Sequence, residues 1–187
     1  VAGKVTAKLG GRLRMAVSGG APLSLPVAKT FIGLGVPILQ GYGLTETSPV
    51  LTVNVPEDNE PGSVGIALNG IELRIGEQDE LLAKTPGMML GYWNNHVATA
   101  EVIDKDGWLH TGDIGFMDED GYFFISDRIK DMVNVSGNKV YTTQVDEVIF
   151  KHPAVLISAG YPSTGNPWGT RQALSPAVCG GEDLSYL

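Results

Sequence analysis

The sequence predicts a mixed α/β (α+β) fold, and three observations carry that prediction. Two short apolar runs, residues 13–17 and 36–39, flank a stretch of mixed helical spacing at 23–34, the strand–helix–strand order of an α/β unit. From Gly62 onward the pattern turns β-rich, with short apolar runs separated by glycine and acidic turns. The 187 residues, 43% of them hydrophobic, suffice for one domain or a domain plus part of a second.

Taken in order, residues 13–17 read as a buried strand and SGGAPLS after them as a loop. Pro26 fits a helix only in its first turn, so residues 23–34 read as a helix beginning there. Residues 36–39 read as a second buried strand running into QGYGLTETSPV. Gly41 and Gly43 lack a Cβ and can take positive φ, so the backbone there can turn sharply or lie close to a ligand, with Tyr42 presented on a mobile tip. Both glycine-bearing loops would then sit at the carboxyl edge of the strands, where α/β folds gather ligands.

Farther along, GIELRI and ELLAK read as strands separated by residues 76–79, and residues 95–102 as a short helix. IGFMDEDGYFFISDR reads as a hairpin turning at 118–121. DMVNV is expected to be a strand, SGN a turn, and 143–151 a helix capped by Thr143 with Asp146 in the capping-box position. The charged connector 128–131 is the expected domain boundary, and the tail after residue 160 has no periodicity.

No apolar run approaches the roughly 18 residues of a membrane span, and the start has no hydrophobic leader pattern. The chain begins in mid-pattern and reads as a piece of something longer. A single cysteine, Cys179, excludes a disulfide framework or Cys-based zinc site within one chain and fits a reducing compartment. Net charge is −8, and residues 41–131 hold 17 acids against five bases, which argues against an extended nucleic-acid surface. His96, His110 and His152 are not spaced as a metal site.

Three constellations carry chemistry. Thr45 and Glu46 set a hydroxyl suited to a phosphate oxygen beside a hard carboxylate ligand suited to Mg2+, a pairing that suggests a nucleotide. Asp113, after Gly112 in an expected tight turn, suits either two ribose hydroxyls or an ordinary turn. Arg128 and Lys130 suit a ribose or phosphate, or else two solvated bases balancing Asp127 and Asp131.

VSGGAPLS, QGYGLTETSPV, GSVG, MMLGYWNN, GWLHTGDIG, GYFFISDRIKD and VSGNKVY follow one another in this order. Together, over residues 10–155, they resemble adenylate-forming enzymes of the acyl-CoA synthetase and luciferase superfamily, in the tone of long- or medium-chain fatty-acid–CoA ligases. The resemblance implies the C-terminal part of a large AMP-binding domain with a β-rich subdomain (1–129), then a hinge and the start of a small α+β domain (130–187). It implies ATP, Mg2+ and CoA, with a fatty acid as the other small-molecule substrate, in the cytoplasm, with peripheral membrane association left open.

By resemblance, Gly20, Ala21, Pro22, Gln40, Gly41, Tyr42, Gly43, Asp113, Ile125 and Arg128 bind ATP or AMP. Thr45 and Glu46 are the catalytic pair, Glu46 holding the metal. Lys130 is the hinge, and Ser136, Gly137, Asn138 and Lys139 meet CoA. The family's phosphate-cradling loop and its C-terminal adenylation lysine have no counterpart among these residues, so the chain alone is expected to be inactive. STGNPWG at 163–169 superficially resembles that loop, with Trp168 where lysine would stand, and Gln144 replaces the usual Glu. A non-catalytic nucleotide-binding module, and an adenylating ligase for another acid or a carrier protein, are the alternatives.

Overall fold

The computed structural model describes residues 2–135, 138–141, 145, 148–149, 157–162 and 170–175. The chain divides into two units, Val1–Ser126 and Asp127–Leu187.

In the first unit a helix α1 (Ala2–Lys8) buries none of its residues and precedes strand β1 (Ala16–Ser18). Helix α2 (Leu25–Gly33) starts where Pro26 loses no helical hydrogen bond, and its last turn closes by the Leu34 amide donating to Thr30 O at 3.0 Å. It carries the chain back so that β2 (Ile38–Tyr42) pairs in parallel with β1, Ala16 opposite Ile38 and Ser18 opposite Gln40. Strands β3 (Thr52–Val53) and β4 (Ile66–Ala67) extend this sheet antiparallel, in the order β1-β2-β3-β4.

Two expectations are corrected here. The first strand is shorter than the apolar run and is not buried: Val17 is 67% exposed, and Leu13 and Met15 both 42%. The reason is position, since among the described residues β1 ends the sheet with β2 as its one strand neighbour. Tyr42 is not on a mobile tip, because β3 reaches back to pair with the motif, Gly41 opposite Val53 and Tyr42 opposite Thr52.

The second sheet is antiparallel where its registers are given and contains β5 (Glu72–Ile75), β6 (Glu80–Lys84), β7 (Leu109–Met117) and β8 (Phe123–Arg128) in that order. The expected hairpin joins β7 to β8, turning as the Asp118 amide donates to Tyr122 O at 3.0 Å. Helix α3 (His96–Val102) starts one residue past Asn95, whose Oδ1 caps the Ala98 amide at 3.0 Å. Leu51 of the β2–β3 connection packs with Ala83 and Leu109, so the core lies between this sheet and the motif loop.

In the second unit a 3-10 turn, Ile129–Asp131, leads into β9 (Met132–Val135), which pairs antiparallel with β10 (Asn138–Tyr141). The tail expected to lack pattern forms an antiparallel ribbon of β11 (Ile157–Pro162) and β12 (Thr170–Ser175). Backbone pairing there needs no side-chain alternation that a sequence reading could detect. Ser136, Gly137, Thr143, Gln144, Asp146, His152, residues 163–169 and Cys179 lie outside the described residues.

Candidate functional site

The loops that follow β1 and β2 leave one edge of the first sheet. Ser18 and Gln40 are register partners, so these loops begin side by side, and a Cβ added to Gly19 would stand 3.1 Å from Gly41 O. Gly20, Ala21 and Pro22 are exposed in the first loop. The Tyr42 hydroxyl donates to Asp113 Oδ2 at 2.5 Å, bringing together residues 71 apart in the chain. Asp113 is 3% exposed.

Asp113 does not occupy a tight turn; it lies within β7. Glu80 pairs with Ile114 and Leu82 with His110, so three residues of β7, 111 to 113, stand against Leu81 alone. Such a bulge needs a backbone that most side chains avoid, and Gly112 supplies it at φ +72°. The Gly112 amide donates to Glu80 Oε1 at 2.9 Å, the Asp113 amide to Thr111 Oγ1 at 3.1 Å, and Thr111 Oγ1 to Leu81 O at 2.7 Å. On β8, Ile125 backs the strand, its Cα 3.4 Å from where a Cβ on Gly115 would lie.

The TET residues form a 3-10 turn, Thr45–Thr47. Buried Thr47 locks it, its hydroxyl donating to Leu44 O at 2.9 Å and accepting the Leu44 amide at 3.2 Å. Neither Gly41 nor Gly43 takes a positive φ, so the sharp turn expected there is not what glycine supplies. At Gly43 the reason is crowding: a Cβ would fall 1.8 Å from Pro49 O.

Thr45 is exposed and Glu46 half-buried. Glu46 is held twice, its carbonyl accepting the Met89 amide at 2.7 Å and its Oε1 accepting the Tyr92 hydroxyl at 2.9 Å. Burial, and then the Glu46 carboxylate, push the Tyr92 hydroxyl above its usual titration range. Among the described residues no three His, Cys, Asp or Glu side chains gather as a metal cage. One oriented carboxylate fits Mg2+ all the same, since this ion is commonly held by one or two carboxylates with substrate phosphates and waters.

The other expected residues that the structure describes take the following places. Gln40 is 7% exposed, and its Nε2 donates to Pro61 O at 2.7 Å and Ser63 O at 3.3 Å, holding the loop before β4. Arg128 ends β8, its amide donating to Asp127 Oδ1 at 2.7 Å, and exposed Lys130 lies in the 3-10 turn. These two, with Asn138 and Lys139 on β10, belong to the second unit. Sequence reasoning missed Tyr92, although MMLGYWNN contains it, and it missed Glu80, for which spacing offers no signal.

Residues 2–93 match the family model described as AMP-binding enzyme. A long-chain-fatty-acid–CoA ligase of Salmonella typhimurium is 42% identical over 165 residues, covering 81% of this chain and 29% of that protein. A probable 4-coumarate–CoA ligase of Dictyostelium discoideum is 44% identical over 158 residues, 76% of this chain and 28% of the relative. Among solved structures, an ATP-bound RpMatB-BxBclM chimera superposes with a TM-score of 0.77 at 31% identity, over 88% of this chain and 35% of that one. A fatty acyl CoA synthetase of Mycobacterium tuberculosis gives a TM-score of 0.62 at 32% identity, over 85% and 34%. The chain thus spans under a third of the length of the curated relatives it matches here. With the ordered motifs, the α/β architecture and these likenesses on one chain, it belongs to the adenylate-forming superfamily of AMP-binding enzymes.

Proposed function

We propose that this chain is the nucleotide-handling segment of an ATP-dependent fatty-acid–CoA ligase. The observation that carries the reading is the Tyr42–Asp113 hydrogen bond of 2.5 Å at the edge where both glycine-bearing loops emerge. Adenine would lie against Tyr42, with Gly20, Ala21 and Pro22 on its other side, the backbone of 40 to 43 beneath it and Ile125 nearby. Asp113 would accept the ribose hydroxyls, and Arg128 would serve the ribose or α-phosphate.

A carboxylate resists attack by a thiol, so the acid is activated first. One of its oxygens attacks the α-phosphorus of ATP, pyrophosphate leaves, and an acyl-AMP results. The CoA sulfur then attacks the acyl carbonyl, loses its proton and expels AMP. Thr45 would donate to a phosphate oxygen and Glu46 would hold Mg2+, which when bound offsets charge on the phosphates. Tyr92 keeps the Glu46 carboxylate oriented. Ser136, Gly137, Asn138 and Lys139 would meet CoA after a swing about Lys130, with 1–129 and 130–187 as the moving parts. The 187 residues alone would form no acyl-CoA, and the setting would be cytoplasmic lipid metabolism.

The test is ATP–pyrophosphate exchange by the full-length protein that carries this segment, with long- and medium-chain fatty acids. Glu46→Ala should lower exchange by about 10²-fold, the scale of one lost electrostatic stabiliser. Undiminished exchange in that variant would reduce Glu46 to loop structure. No exchange with any acid would favour a non-catalytic nucleotide module. A ligase for another acid is the second reading, favoured by the 4-coumarate–CoA ligase relative and by a 2-succinylbenzoate–CoA ligase of Bacillus cereus at 36% identity. Exchange with aryl but not fatty acids would select it.

A further inference from the structure

We infer that Glu80, braced by His110, is a positioning residue for Asp113, and so for recognition of the nucleotide ribose; the inference rests on the ribose role proposed for Asp113. The bulge in β7 takes residues 111 to 113 off the β6 ladder, so their amides must find partners elsewhere. Side chains meet that need for two of the three. Thr111 accepts the Asp113 amide at 3.1 Å, and Glu80, the first residue of β6, accepts the Gly112 amide at 2.9 Å.

Both Glu80 oxygens are in use, because Oε2 lies 2.8 Å from His110 Nδ1. The Glu80 side chain is only 14% exposed, and an amide donating to such a carboxylate is a charge-assisted bond, stronger than a neutral one. On its far side His110 Nε2 stands 3.9 Å from Asp104 Oδ2, beyond hydrogen-bond reach. Asp104 itself is fixed by the Trp108 and Asp106 amides, each donating to Oδ1 at 2.9 Å. The chain of hydrogen bonds runs from His110 through Glu80 to the Gly112 peptide, and that peptide sets where Asp113 meets Tyr42. An antiparallel ladder has no need of a carboxylate at this point. A bulge that must aim one side chain does.

The experiment measures equilibrium binding of AMP and of 2′,3′-dideoxy-AMP to the full-length protein, its Glu80→Ala, Glu80→Gln and His110→Ala variants, and each in an Asp113→Ala background. Wild type is expected to prefer AMP. Glu80→Ala should cut that preference about tenfold, within the roughly 10²-fold that a 1 Å misplacement can cost. Glu80→Gln keeps an acceptor for the Gly112 amide and should restore most of the preference. His110→Ala, which leaves Glu80 in place, should lose part of it and keeps the test informative if Glu80→Ala fails to fold. In the Asp113→Ala background Glu80→Ala should change AMP affinity less than about twofold, the signature of two residues acting as one. Equal weakening of both nucleotides, with the preference intact, would overturn the inference and leave Glu80 as scaffold. A wild type with no preference overturns the ribose role of Asp113 itself.

Discussion

At Gly43 a single methyl group has nowhere to go, with Pro49 O 1.8 Å and Val50 Cα 2.8 Å from the position a Cβ would take. Gly43→Ala must push the Pro49–Val50 backbone away, and overpacking of this kind costs about 1–3 kcal/mol, measurable by denaturant unfolding. Since Pro49 O also accepts the Thr47 hydroxyl of the Thr45–Thr47 turn at 3.2 Å, the same variant should lose nucleotide affinity. Tyr122 offers a second test at this scale. It is buried, its hydroxyl donates to Asp58 O at 3.0 Å, and burial first, then Asp58, push its pKa from 10.0 up to about 12. The raised value means the neutral hydroxyl is the form that folding favours. Its contribution is complete below about pH 10 and lost as pH rises toward about 12. The stability gap between wild type and Tyr122→Phe should therefore narrow across that window. A gap constant from pH 9 to 12 would contradict the assignment.

At the scale of elements, the connection between β3 and β4 is pinned by buried polar groups. Asn54, 2% exposed, donates through Nδ2 to Ser63 O at 3.0 Å and accepts the Glu60 amide on Oδ1 at 3.0 Å. Ser63, 0% exposed, donates to Glu60 O at 2.9 Å and accepts the Gly65 amide at 3.0 Å. Asn54→Ala leaves a buried amide and carbonyl short of partners, a loss of about 1–3 kcal/mol. Asn95→Ala removes the exposed cap of α3 and should cost about 1 kcal/mol. Thermal unfolding of the two variants should rank them in that order. Gln40 belongs to the same network, so its side chain serves the β2 edge by holding the neighbouring loop in place.

At the scale of the whole molecule the expectation concerns the connector between the units. Proline at 130 holds φ near −65°, removes an amide and disfavours helical values at Ile129. If Lys130 is the hinge, Lys130→Pro in the full-length protein should leave acyl-AMP formation near normal while its conversion to acyl-CoA collapses. Lys130→Ala should be mild in the second step, since the role belongs to the backbone. Single-turnover rates for both steps decide the matter, and equal losses in the two would move the hinge elsewhere. Cooperative unfolding of the variant, like that of wild type, is the control.

What the sequence by itself determined is what short-range chemistry controls. Pro26 places the first turn of α2, Asn95 starts α3, and the 118–121 turn makes the β7–β8 hairpin, each through groups only a few residues apart. Membership of the adenylate-forming superfamily was also legible, because the order of seven motifs is a property of the chain and not of its folding. The tertiary structure alone decided which side chains meet. Tyr42 and Asp113 are 71 residues apart, Glu46 and Tyr92 46, Glu80 and Gly112 32, and no one-dimensional spacing encodes those pairings. Asp113 reads as a turn residue because its glycine is local, yet it lies in a strand because β6 supplies a partner from far away in the chain. The exposed side chain of Val17 and the buried amide of Gln40 likewise follow from place in the sheet, β1 at its edge and β2 inside it, which composition does not carry.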